Sequence, residues 1–219
     1  MSPITIGHRS LYLCTPARPD LCDFVAACVS GGVDVVQLRE KHLEARPLLD
    51  VGRELRRCCA DLGVPFILND RPDLALELDA DGVHVGQDDA PPELARRILG
   101  SDRIVGISTH APEEANVAAR GPVDYLAAGP VVPTATHPDR RPTGVAYIAQ
   151  ATTAAARGGT GAPLPLFVTG GVTPETIPGL VAAGAERFVV VRHLTEAPDP
   201  RRAAADLRHA IDDAIGRSA

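Results

Sequence analysis

Eight times along this chain a short run rich in β-branched and apolar residues gives way to a segment with helical spacing, and that alternation limits the fold more than any other feature. The runs are Leu11–Thr15, Val33–Arg39, Pro65–Asn69, Gly82–Gly86, Ile104–Ser108, Val123–Gly129, Leu166–Thr169 and Phe188–Val191. Their apolar residues are continuous rather than alternating with polar ones, the pattern of parallel strands covered on both faces. Between them, Leu21, Phe24, Val25, Cys28 and Val29 recur at three and four and stop at Gly31-Gly32. Leu48, Val51, Leu55, Cys58, Cys59 and Leu62 do the same and stop at Gly63. Pro91-Pro92, Thr173-Pro174-Glu175 and Asp199-Pro200 read as helix starts, because a proline in the first turn needs no donor.

Eight such units in 219 residues leave about 27 residues for each, which is tight but adequate for a (β/α)8 TIM barrel. A doubly wound open sheet has the same alternation, which does not by itself show closure. No linker or low-complexity stretch divides the chain, and the Gly/Ala/Pro-rich Arg157–Pro165 reads as a loop before the seventh strand. The expectation is a single-domain barrel over residues 1–219.

Composition narrows the function classes. No apolar run approaches the length needed to cross a bilayer. Met1–Ser10 lacks the basic-then-apolar order of a signal peptide, so the sequence reads as cytoplasmic. A formal charge of −6 and the absence of a Lys/Arg block with interleaved aromatics argue against nucleic acid as a partner. Anionic small molecules stay open, since a few basic groups in one cleft suffice for phosphate. The cysteines, Cys14, Cys22, Cys28, Cys58 and Cys59, form no CxxC pair and read as small core residues.

In a barrel of this kind the chemistry gathers where strands end, and the unusual polar residues of this chain fall there. The second strand leaves through Gln37, Arg39, Glu40 and Lys41, and the third through Asn69-Asp70-Arg71. The fourth leaves through Gly86-Gln87-Asp88-Asp89, and the fifth through Ser108-Thr109-His110. The sixth leads to Gly129-Pro130 and then Thr134-Ala135-Thr136, the seventh to Gly170-Gly171 and the eighth to Arg192-His193. Any one of these could be a solvated loop. Seven at one end of the sheet point to a site.

The pieces sort by chemistry. Gln37, Arg39 and Lys41 occupy every second position and would face one way on an extended strand, as a diphosphate clamp or as a surface row paired with Glu40 and Glu44. Asp70 and Asp89 leave adjacent strands and could share a cation, with Mg²⁺ the best match for two carboxylates completed by phosphate and water. The alternative makes Asp70 a turn residue and Asp89 a cap for the helix at Pro91. Gly170-Gly171 before a helix start could admit an anion to backbone N–H groups, or be a tight turn. His84 reads as a core histidine, whereas His110 is better placed for function.

Taken together, Gln37-Leu38-Arg39-Glu40-Lys41, Asn69-Asp70, Ala80–Asp89, Gly106-Ile107-Ser108 and Asp124-Tyr125-Leu126 resemble the thiamine phosphate synthase family. So do Gly129-Pro130 with Pro133–Thr136, Gly170-Gly171-Val172-Thr173 and Val189–Arg192, in one collinear order from about Leu11 to Pro200. The resemblance implies a barrel that uses Mg²⁺ to join 4-amino-2-methyl-5-hydroxymethylpyrimidine diphosphate to 4-methyl-5-hydroxyethylthiazole phosphate. It assigns Gln37, Arg39, Lys41, Asn69 and Ser108 to the pyrimidine diphosphate, with Arg39, Lys41 and Ser108 as the catalytic set. It gives Mg²⁺ to Asp70 and Asp89, and the thiazole phosphate to Thr134, Thr136, Gly171, Val191 and Arg192. The implied mechanism is dissociative: pyrophosphate leaves and the thiazole nitrogen attacks the resulting cation.

The chain departs from the family pattern at one place. Where the family has a lysine directly after its Thr-x-Thr, this chain has His137, followed by Arg140 and Arg141. The expectation is that these residues close over the diphosphate. Two competing readings stand beside the synthase. One is the related thiazole tautomerase, with His110 as acid/base, although that group tends to lose the Asn-Asp and Gly-Gln-x-Asp elements retained here. The other is a barrel that only binds a phosphorylated ligand.

Overall fold

The computed structural model describes residues 5–133, 141–158 and 162–216. Its strands are β1 (Leu11–Thr15), β2 (Val35–Leu38), β3 (Phe66–Asn69), β4 (Gly82–Val85), β5 (Ile104–Thr109), β6 (Tyr125–Ala128), β7 (Leu166–Thr169) and β8 (Arg187–Val190). All pair in parallel with their sequence neighbours, and β8 returns to β1 through Leu11↔Phe188, Tyr12↔Val189 and Leu13↔Val190. The sheet is a closed barrel, which decides against the open doubly wound arrangement.

The intervening helices are α1 (Leu21–Ser30), α2 (Ala45–Leu62), α3 (Pro72–Glu77), α4 (Pro92–Leu99) and α5 (Pro112–Ala118). They continue with α6 (Ala146–Ala156), α7 (Ile177–Ala182), α8 (Arg192–Thr195) and α9 (Pro200–Ile215). The expected signals act locally as the physics requires. Gly63 ends α2 in the left-handed region at φ 68°, where a Cβ would be strained. Asp199 caps α9 by accepting from the Arg202 N–H at 2.9 Å.

Two strands start later than the sequence expectation, where an aspartate carboxylate joins its own backbone N–H in pairing with the neighbouring strand. Asp34 lies in the expected second strand but outside β2. Its carboxylate accepts from the N–H groups of Ser10 and Leu11 and pairs with Arg208 at 2.8 Å. Asp124 does the same before β6, accepting from Val105 N–H at 2.7 Å and from Arg96 at 2.6 Å. Each carboxylate anchors one strand end to the next from below the sheet.

Two cores follow from the pleat. Outward residues of the strands pack with the helices into one large cluster. Inward residues Tyr12, Val35, Ile67, Ile104, Tyr125 and Phe167 form a second, with Ile6 added from the chain just before β1. Because side chains alternate along a strand, the inward residues two steps further on include Cys14, Gln37, Asn69, Ala127 and Thr169. The barrel is therefore apolar toward its N-terminal end and polar at its C-terminal mouth.

Candidate active site

A cavity of about 420 Å³ opens at that mouth. Gln37, Arg39, Lys41, Asn69, Asp70 and Asp89 line one part of it, with Ser108 beyond them. Gly171, Val191 and Arg192 line another part. Thus residues far apart in sequence converge as expected from strand ends. Thr134, Thr136, His137 and Arg140 lie outside the described residues, and Arg141 is exposed.

The carboxylates are local products of two turns. Asp70 follows β3 with φ at 64°, a conformation that aspartate tolerates better than most residues. Its N–H donates to the His84 carbonyl at 2.8 Å, which pins the turn to β4. Asp89 turns back toward the end of β4, accepting from Gly86 N–H at 2.8 Å. It therefore does not cap α4, whose N-cap position is Pro91. Asp70 and Asp89 lie close enough to interact directly, and Lys41 Nζ sits 3.2 Å from Asp70 Oδ2. Burial and the neighbouring Asp89 push the Asp70 carboxyl up to about 6, against the opposing pull of Lys41. The alternative of a surface row that pairs Lys41 with Glu40 or Glu44 gives way to this pairing with Asp70. Beside them the Asn69 amide is buried, and its Nδ2 has no hydrogen-bond partner among the described residues. A buried donor without an acceptor is costly, and this one borders the cavity.

Below Ser108 runs a chain of polar contacts that sequence reasoning missed. His84 sits inside the barrel with Nε2 2.8 Å from Ser108 Oγ and Nδ1 2.9 Å from Tyr125 Oη. Burial pushes the imidazole down to about 4, so it is neutral near pH 7. Tyr125 Oη meets Tyr12 Oη at 3.0 Å, and Gln37 Nε2 donates to Tyr12 Oη at 2.8 Å. Cys14 Sγ donates to Gln37 Oε1 at 3.2 Å. The reading of His84 as a satisfied interior histidine holds, yet the ring also touches a site residue. Gly106 makes this possible. Register places His84, Gly106 and Tyr125 side by side on β4, β5 and β6. A Cβ on Gly106 would lie 2.0 Å from the Tyr125 ring, so the missing side chain is the space through which the two rings meet.

The opposite side is built from backbone. Gly170 and Gly171 have φ of 95° and 70°. A Cβ on Gly170 would fall 2.7 Å from Val131 N, so the close approach to the chain after β6 requires glycine. The helix expected at Thr173 begins instead at Ile177. Thr176 Oγ1 donates to the Gly171 carbonyl at 2.7 Å and accepts from Thr173 N–H at 2.9 Å, closing a separate turn before α7. Arg192 opens α8 and lines the cavity directly after β8. His110 also lines the cavity, and its Nδ1 contacts the Gly129 carbonyl. All five cysteines are free thiols. Among the described residues, no helix is long and apolar enough to cross a membrane.

Comparison with known proteins bears on this site. A thiamine-phosphate synthase of Thermus thermophilus is 45% identical over 206 residues, covering 92% of this chain and 96% of that protein. A second, from a Synechococcus species, is 41% identical over 204 residues, and this chain spans 56% of its length. Among solved structures, a thiamine phosphate pyrophosphorylase from Pyrococcus furiosus superposes with a TM-score of 0.82 at 29% identity, over 94% of this chain and 97% of that one. The family model for thiamine monophosphate synthase matches residues 11–194, a span that includes every strand of the barrel and each cavity-lining residue described above, and the chain belongs to that family.

Proposed function

We propose that this protein condenses 4-amino-2-methyl-5-hydroxymethylpyrimidine diphosphate with 4-methyl-5-hydroxyethylthiazole phosphate, giving thiamine phosphate and pyrophosphate. The observation that supports the reading is one cavity with two differently built sides: Lys41 beside the Asp70–Asp89 pair on one, and Gly170-Gly171 with Arg192 on the other. A reaction between a diphosphate and a monophosphate needs both. Gln37, Arg39, Lys41, Asn69 and Ser108 take the pyrimidine diphosphate in this reading, and Gly171, Val191 and Arg192 take the thiazole phosphate. Thr134 and Thr136 join the thiazole phosphate site by their place in the family pattern, and His137 joins the diphosphate side by the same reasoning.

Two adjacent carboxylates, one of them raised above its ordinary titration range by burial and by the other, suit a hard divalent cation with oxygen ligands. Asp70 and Asp89 would hold Mg²⁺. Bound there, Mg²⁺ supplies neutralisation of charge on the departing pyrophosphate. The protein's own groups do the rest. Arg39 and Lys41 add positive charge at the leaving group as the carbon–oxygen bond breaks. The enclosed cavity holds the thiazole nitrogen in line to form the new carbon–nitrogen bond. No proton has to be removed from either substrate for that bond to form, which fits a site whose buried histidine has both ring nitrogens engaged by hydroxyls.

The test is to mix purified protein with both substrates and Mg²⁺ and to quantify pyrophosphate and thiamine phosphate together. Equal amounts of the two products, with neither formed when one substrate is omitted, are expected. Conversion of a thiazole precursor without pyrophosphate release would support the tautomerase instead. Binding without turnover would support the ligand-binding barrel.

A further inference from the structure

The hydrogens beneath the cavity can be assigned one after another. Cys14 Sγ donates to Gln37 Oε1, and Gln37 Nε2 donates to Tyr12 Oη at 2.8 Å. An amide nitrogen can only donate, so Tyr12 Oη accepts there and directs its one proton to Tyr125 Oη, 3.0 Å away. Tyr125, accepting from Tyr12, in turn gives its proton to His84 Nδ1 at 2.9 Å. The imidazole is buried and its two nitrogens meet hydroxyls, so the neutral ring is favoured there. With Nδ1 accepting, the ring hydrogen sits on Nε2 and is donated to Ser108 Oγ at 2.8 Å. Ser108 then has its own hydrogen left for the cavity.

We propose that Tyr12, Tyr125 and His84 are positioning residues, a one-way hydrogen-bond relay that holds the Ser108 hydroxyl as a donor toward an acceptor atom of the bound pyrimidine diphosphate. The inference rests on the substrate reading above. It adds a preference: with one Ser108 lone pair taken by His84 and the hydroxyl hydrogen left over, a ligand acceptor atom is matched better than a ligand N–H or O–H. It also gives Gly106 a purpose beyond packing, since any side chain there would part Tyr125 from His84.

The relay is tested first without substrate. Protein carrying isotope-labelled histidine is studied by long-range proton–nitrogen NMR, with His84 assigned by its loss in His84→Asn. The expected result is the Nε2–H tautomer at neutral pH, and Tyr125→Phe should move the Nδ1 resonance. An Nδ1–H tautomer would mean that His84 donates to Tyr125 rather than accepting from it, and it overturns the proposal. A charged ring overturns it too.

Calorimetry supplies the second arm. Ser108→Ala and Tyr125→Phe should each weaken pyrimidine diphosphate binding by about three- to tenfold, the range of one hydrogen bond. The double variant should bind no worse than Ser108→Ala alone, and thiazole phosphate binding should be unchanged throughout. Losses that add mean Tyr125 does not act through Ser108. Should Tyr125→Phe fail to fold, Tyr12→Phe interrupts the same relay one step earlier. Wild-type protein that binds no pyrimidine diphosphate overturns the substrate reading and the acceptor assignment with it, whereas the tautomer decides the relay by itself.

Discussion

The two sides of the barrel mouth are built from different materials. On the side of β2 to β5 the groups are side chains: Lys41 against Asp70, Asp89 folded back on Gly86, Ser108 held by His84. On the side of β7 and β8 the material is mostly backbone, two successive glycines at positive φ with their turn fastened by Thr176, and Arg192 is the cation at its edge. On the first side the Asp70 carboxyl is raised by burial and by Asp89, and in the proposed function this pair would hold the metal. The second tolerates no added Cβ at either glycine. In the proposed condensation this split would hold the group that must leave and the group that must stay bound by unlike means.

The largest effect should come from the side-chain half. Asp70→Asn and Asp89→Asn should each lower pyrophosphate release by roughly 100-fold or more, the scale of lost metal assistance. Melting temperatures should stay near wild type, since an amide at position 70 removes a like-charge contact rather than a packing one. Turnover within a few fold of wild type would break the division of labour at its strongest point.

Next comes the backbone half. Gly171→Val places a branched residue at φ 70°, with its Cβ 2.2 Å from Val132 Cγ2. Thiazole phosphate affinity should fall by roughly tenfold, the size of one lost charge-assisted hydrogen bond, while pyrimidine diphosphate affinity holds. Equal weakening of both ligands in calorimetry would merge the two halves into one site.

The smallest expected effect is a matter of pH. The Asp70 carboxyl is raised to about 6, so in metal-free protein the folded state keeps a proton that the unfolded state releases. That costs stability as pH rises from near the unfolded value of about 3.9 toward about 6. A bound cation reverses the cost only where the carboxylate is ionised. Mg²⁺ should therefore raise the melting temperature by a few degrees at about pH 7.5 and by less at about pH 5. Asp70→Asn should abolish the difference, and a pH-independent increment in wild type would detach Asp70 from the metal.

The same contrast governs what was legible beforehand. Side chains at strand ends can be read directly, and Gln37, Arg39, Lys41, Asn69, Asp70, Asp89 and Ser108 all reach the cavity. The backbone half was visible only as Gly-Gly before an apparent helix start. The turn closed by Thr176 depends on a hydroxyl choosing the Gly171 carbonyl, and nothing in the spacing announces that choice. Strand limits slipped where the Asp34 and Asp124 carboxylates join the pairing by accepting neighbouring N–H groups, which periodicity does not register. The relay under Ser108 escaped for a further reason. It depends on which residues of β4, β5 and β6 stand level, and cross-strand register is not written in any one strand.

Closure of the barrel through β1 and β8 has a consequence for how the protein comes to exist. Cys14 on the first strand and Arg192 just after the last share one cavity. A chain emerging from the ribosome can form several of its βα units early, since each pairs with its neighbour. It cannot assemble both sides of the mouth until β8 has been made and has found β1. Partial translation products, and fragments cut anywhere between those strands, should therefore compete poorly for substrate while the cell is still making the protein.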